Sequence, residues 1–221
     1  MAINKENYIR ISEELKAHQA TLVAVSKTKP AEALQELYDL GQRDFGENYV
    51  QELTGKQPQL PADTQWHFIG HLQSNKVKYI APFVHLIHSI DSLKLLQEVN
   101  KQAQKNNRII NVLLQVHIAL EETKFGFDEQ ELLQTDWEQA LKELPNISLQ
   151  GLMGMASFTE DQTLVRNEFK NLKRIFDHFA QRHSSATNFY ILSMGMSGDY
   201  QLALEEGSNM VRIGSLIFGS R

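Results

Sequence analysis

Two features of the sequence could do chemistry together. Lys27 closes a short apolar run, Leu22 to Val25, that ends in Ser-Lys-Thr-Lys-Pro. A run rich in Val and Leu and stopped by proline reads as a strand buried on both faces. An amine held against low-dielectric packing gives up its proton more readily than one in water, and it can then attack a carbonyl. The plain alternative is a lysine that snorkels at a strand end. The second feature is a pair of glycine-bearing turns, SMGMSGD at 193–199 and VRIGSLIFG at 211–219. Glycine lets backbone N–H groups come close to an anion. Ser193, Met194, Gly214 and Ser215 are the candidate donors there. Arg212 adds a cation that could clamp a phosphate, point at a ring nitrogen, or sit in a structural ion pair.

These residues need a scaffold that brings them to one place. Ile3, Tyr8, Ile11 and Leu15 stand at helical spacing among charges, so an amphipathic helix precedes the first strand. From there strands and helices alternate. Strands are expected at 22–25, 44–48, 65–70, 84–91, 109–118, 147–156, 188–193 and 210–213. Helices are expected between them, including a single one over Asp128 to Leu144 and the longest over Asp161 to Arg182. Only the eighth strand lacks a clear following helix. Alternation implies a parallel sheet, and eight units can close into an α/β barrel. An open, doubly wound sheet is the competing topology. In the barrel, Lys27, Asn48, His71, Ser89, Lys124, Met153 or Met155, Ser193 and Arg212 with Gly214 follow successive strands at one mouth, where such folds build their sites. An imine-forming lysine beside an anion cradle suits either pyridoxal 5′-phosphate or the sugar phosphate of a Schiff-base aldolase.

Composition excludes other classes. The chain has 221 residues, 42% hydrophobic and 22% charged, which is ordinary for a globular protein. There is no cysteine, so thiol nucleophiles, disulfides and cysteine-ligated zinc are absent. A formal charge of -5 with scattered Lys and Arg argues against a nucleic-acid-binding face. No apolar run approaches a membrane span and the N-terminus has no signal-peptide core, so a cytoplasmic protein is expected. The histidines are not expected to hold a metal. His67 and His71 straddle a strand end, and His85 and His88 should point to opposite faces of a strand.

Taken in order, VSKTKP, FGENYVQE, WHFIGHLQSNK, HSIDS, GLMGM, LSMGMSGDYQLAL and VRIGSLIFG closely resemble the pyridoxal phosphate homeostasis protein family (the YggS/PROSC group) over nearly the whole chain from Leu22 to Gly219. The resemblance implies one (β/α)8 TIM-barrel domain over 1–221, of pyridoxal fold type III like the N-terminal domain of alanine racemases, with an extra N-terminal helix. It implies that Lys27 carries pyridoxal 5′-phosphate as an internal aldimine. It further implies phosphate contacts from Ser193, Gly214 and Ser215, Arg212 facing the pyridine nitrogen, Asn48 near the cofactor, and Lys29 and Lys124 close by. His117 stands where the family usually has Asn.

A cation beside the ring nitrogen disfavours its protonation and weakens the electron sink. Racemases of this fold add a base from a C-terminal domain across a dimer. Here the chain ends at Arg221, and Tyr200 is the nearest candidate base. A carrier that takes part in intracellular cofactor homeostasis is therefore expected, rather than an enzyme. It is expected to be a monomer whose partners are the cofactor and the apo forms of pyridoxal-dependent enzymes, with Lys29 or Lys124 as a relay. The alternative is a racemase-like enzyme.

Overall fold

The computed structural model describes residues 3–121, 125–182 and 188–219. Eight strands run β1 Thr21–Val25, β2 Asp44–Glu47, β3 Gln65–Phe68, β4 Leu86–Ile90, β5 Ile110–Val116, β6 Ile147–Gly154, β7 Ile191–Met196 and β8 Met210–Ile213. Each pairs in parallel with the next, and β8 returns to β1 through Thr21 opposite Met210 and Ala24 opposite Ile213. The sheet is a closed barrel, which removes the open-sheet alternative and leaves no unpaired edge.

The helices are α1 Lys5–Ala17, α2 Ala31–Asp39, α3 Val50–Lys56, α4 Val77–Ile80, α5 Leu93–Lys105, α6 Glu129–Gln134, α7 Trp137–Lys142, α8 Gln162–Arg182, α9 Tyr200–Glu205 and α10 Ser215–Phe218. Their starts follow from local chemistry. Ser92 Oγ accepts from Leu95 N at 3.3 Å and opens α5, and Asp161 Oδ1 accepts from Thr163 N at 2.9 Å and opens α8. The helix expected over Asp128 to Leu144 is two helices. Thr135 is extended, and Asp136 caps a new start by accepting from Gln139 N at 3.0 Å. The eighth strand does have a following helix, the single turn α10.

Strand alternation divides the apolar residues into two cores. Leu22 and Ala24 of β1 face outward, to a layer filled by Leu34, Leu37, Leu53, Phe169, Leu172, Ile175 and Ile217 of the helices. Burying one such side chain stabilises the fold by roughly 1.5–3 kcal/mol. Val23 faces inward and packs with Leu86, Leu113, Met153, Ile191 and Met210 in the bore. The bore also holds buried polar groups, His67, His88, Ser193 and Arg212. Among the described residues no helix is long and apolar enough to cross a membrane.

Candidate functional site

A cavity of about 580 Å³ opens at the C-terminal mouth of the barrel. That is the size of a small-molecule site. Lys27 lines it from the end of β1, Asn48 from β2, Arg212 from β8, and Gly214 and Ser215 from the turn after β8. Five of the six residues singled out from sequence thus meet at one cavity. Its walls include Val25, Ile69 and Met155, which are apolar, and Ser197 and Gly198 from the turn after β7. A Cβ built on Gly198 would meet nothing within 4 Å, so the backbone there faces open space. Asn48 Oδ1 is buried and has no hydrogen-bond partner among the described residues. Gly70 lies against the same loop, and a Cβ there would come within 2.3 Å of Asn48 O.

Lys27 sits on a tightly held turn. Thr28, just after it, has φ +65°, a left-handed conformation that costs a β-branched residue. Its N–H donates to Glu52 Oε2 at 2.7 Å. On the other side, Ser26 O accepts from Lys56 Nζ at 2.8 Å. Lys56 also donates to Glu47 Oε1 at 2.7 Å and to Glu52 Oε2 at 3.0 Å, so three donors meet three acceptors. The Ser26 hydroxyl donates to Glu47 Oε1 at 2.7 Å. Burial pushes the Glu47 carboxyl up, against the pull of Lys56, and its Oε2 has no partner among the described residues. Burial acts the same way on Glu52, but the Thr28 N–H and Lys56 outweigh it and hold Glu52 below the usual carboxylate range. An ionic clamp thus fixes the backbone before and after Lys27.

Arg212 is held differently. It is 4% exposed. Nη1 donates to Ser193 O at 2.8 Å and to Ser193 Oγ at 2.7 Å, and Nη2 donates to Gly154 O at 2.9 Å. Burial lowers its pKa to about 10, opposed by the Asp199 carboxylate. Asp199 is itself occupied in shaping the turn, where its Oδ1 accepts from Met196 N.

Ser193 is the expected site residue that does not line the cavity. It is fully buried in the bore beneath Arg212. Strand β7 runs to Met196, past the expected end at 193, with Gly195 at φ +97° and a register shift between Ser193 and Met196. The turn therefore meets the cavity from Met196 onward, through Ser197 and Gly198. Sequence reasoning singles out Gly198 only as a turn residue and Ser197 not at all, although the same glycine turn contains both.

Of the other candidates, Lys29 and Met155 line the cavity, whereas Tyr200, His117, His71, Met153 and Ser89 do not. Tyr200 donates its hydroxyl to Glu14 Oε2 at 2.8 Å, on α1 outside the barrel. The His117 ring donates from Nε2 to Glu121 O at 2.9 Å. Ser89 is buried in β4. Lys29 lines the cavity and donates from Nζ to Phe218 O at 3.1 Å. Lys124 lies outside the described residues. His85 and His88 do not diverge: both rings contact His67, with centroids 5.3 and 5.1 Å away. His85 precedes the regular part of β4, and a register shift follows at Ile87, so strict alternation does not govern the pair. Among the described residues no His, Cys, Asp and Glu group could hold a metal ion.

A parallel eight-stranded barrel with a lysine at the end of its first strand and glycine turns after its last two defines a class. The family described as "Alanine racemase, N-terminal domain" matches residues 3–221. An alanine racemase from Bartonella henselae, solved with covalently bound pyridoxal phosphate, shares the fold at TM-score 0.70 and 16% identity, over 97% of this chain and 59% of that one. Within the class the match narrows. The pyridoxal phosphate homeostasis protein of Aquifex aeolicus is 43% identical over 203 residues, 91% of this chain and 87% of the relative. PipY of Synechococcus elongatus PCC7942, solved with PLP bound, superposes at TM-score 0.87 with 33% identity over 97% of this chain and 99% of PipY. The chain belongs to the pyridoxal phosphate homeostasis protein family.

Proposed function

We propose that this protein binds pyridoxal 5′-phosphate at Lys27 and carries it for intracellular homeostasis without turning over a substrate. The observation that supports this most is the meeting of an amine, a buried guanidinium and an open glycine turn at one cavity. The residues fit the cofactor. The orphan Asn48 Oδ1 awaits a donor, and the apolar wall of Val25, Ile69 and Met155 suits an aromatic ring. When bound, the cofactor supplies an aldehyde whose C=O is exchanged for C=N at an amine, with loss of one water. Lys27 Nζ offers that amine. Ser197, Gly198, Gly214 and Ser215 would hold the phosphate with hydroxyl and backbone donors. Ser193 serves from beneath, by fixing Arg212.

Arg212 would face the ring nitrogen and disfavour its protonation, since a second positive charge beside a buried guanidinium is costly. Racemisation needs a base on each face of the substrate carbon. The described residues that line the cavity include no tyrosine or histidine, and the Tyr200 hydroxyl is engaged by Glu14. This supports a carrier, acting in the cytoplasm as a monomer and passing the cofactor to apo-enzymes by exchange with another amine. Lys29 is placed at the rim for such a relay.

The test is a visible spectrum and borohydride reduction of the protein loaded with pyridoxal 5′-phosphate, followed by peptide mapping. The label should fall on Lys27, and Lys27→Ala should lose at least about nine-tenths of the reducible colour. A full label on another lysine in Lys27→Ala would reject the assignment. Sustained exchange of amino-acid α-protons in deuterated water would replace the carrier with an enzyme.

A further inference from the structure

A file of polar groups crosses the bore from one mouth to the other. Arg212 Nη1 lies 2.7 Å from Ser193 Oγ. Ser193 Oγ lies 3.1 Å from His88 Nδ1. His88 Nε2 lies 2.9 Å from His67 Nδ1, and His67 Nε2 lies 2.9 Å from Asp44 Oδ1. His67, His88 and Ser193 are fully buried, while Asp44 reaches the opposite, N-terminal mouth and lines a second hollow there.

With both rings neutral, donor and acceptor arithmetic fixes every proton in this file, because arginine only donates and the Asp44 carboxylate only accepts. His67 then carries its proton on Nε2 and donates to Asp44, which leaves its Nδ1 bare. His88 donates to that nitrogen from Nε2. The Ser193 hydroxyl donates to the bare His88 Nδ1 while its oxygen accepts from Arg212. All links point one way, from the guanidinium to the carboxylate. We propose that His88 and His67 are positioning residues for the ring-facing Arg212: the one-way chain keeps both imidazoles neutral in the Nε2–H tautomer and locks the guanidinium in place from the far end of the barrel. This rests on the cofactor reading above.

The surroundings work in the same direction. Burial pushes the His88 imidazole well down, helped by the Arg212 guanidinium beside it. The groups facing the two rings are Asp44 on β2, His85 before β4 and Arg212 on β8, with Arg108 behind His85. A proton added to His88 would place a cation beside Arg212. It would also leave the Ser193 hydroxyl hydrogen without an acceptor in a dry bore, which is unfavourable.

Nitrogen-15 NMR of histidine-labelled full-length protein, without and with pyridoxal 5′-phosphate, tests this. His67 and His88 should both show a bare Nδ1 and a protonated Nε2 at about pH 7.5, and His88 should keep that state below the ordinary imidazole range. Asp44→Ala, which does not touch the cavity, should mix the tautomers of both rings. Ser193→Ala should weaken cofactor binding about tenfold and make the bound cofactor's spectrum pH-dependent, and Ser193→Thr should restore both. A proton on Nδ1 of either ring in the wild type, tautomers indifferent to Asp44→Ala, or a Ser193→Ala spectrum like the wild type would each overturn the proposal. The wild-type spectra decide it even if a variant fails to fold. A protein with these tautomers that takes up no cofactor would sink the functional reading and leave the chain of protons standing.

Discussion

Lys27 and Arg212 face one cavity but stand on opposite kinds of support. Beneath Lys27, Glu47, Glu52 and Lys56 form an ionic cluster against Ser26 and the Thr28 N–H. Beneath Arg212 there is a file of neutral groups whose nearest hydrogen-bonded carboxylate, Asp44, stands at the far mouth. The difference suits the proposed roles. Lys27 would condense from a firm backbone, and the clamp grips the Ser26 carbonyl and hydroxyl and the Thr28 N–H. Arg212 would set the charge at a ring, and its hydrogen bonds hold the charged head itself. Charge–charge support also tolerates a nearby surface, whereas the bore is buried and admits charge only at a cost.

The largest effect should come from removing the clamp's cation. Lys56→Met leaves Glu47 buried without its partner and should cost roughly 3–5 kcal/mol in urea unfolding. A cost below about 1 kcal/mol would mean that Glu47 is protonated and the clamp is not ionic.

The second test sets the two supports against each other by pH. His88 and His85 have lowered pKa values in the fold. Below about pH 6.5 the unfolded chain therefore binds protons that the native protein refuses, and stability falls as pH drops, by up to about 1.4 kcal/mol per pH unit for each histidine. Glu47 has the opposite sign. Its raised pKa gives stability at low pH that is lost as pH rises above the unfolded value of 4.5 through the folded one. Unfolding free energy should accordingly rise from about pH 5 to about pH 6.5, and a flat profile would show that the bore histidines titrate as in water.

The mildest test is Glu52→Gln. Glu52 is partly exposed, so the expected loss is only about 1 kcal/mol, with faster amide exchange at Thr28. An unchanged Thr28 amide would remove Glu52 from the clamp.

The barrel was legible because alternation of short apolar runs with amphipathic helices has few other solutions. Lys27, Asn48, Arg212, Gly214 and Ser215 were legible because strand ends converge once the barrel closes. Ser193 was misplaced because a bulge at Gly195 extends β7 by three residues beyond the expected end at 193, which moves the mouth to Ser197. The clamp was not legible because Glu47 and Lys56 meet only when α3 folds back on β2. The histidine file was hidden for a related reason. His67, His88 and Asp44 belong to three strands, and no spacing within one segment announces their contact.

Closure of the ring has a consequence for how the protein is made. Lys27 follows the first strand and Gly214 the last, and they are neighbours only because β8 docks against β1. A nascent chain on the ribosome thus exposes its amine long before the turn after β8 exists. Such long-range closure is slow, and incomplete barrels bury little. On the proposed function, the aldehyde would be retained only by a chain that has already finished folding, so loading would report on the completed protein and not on its fragments.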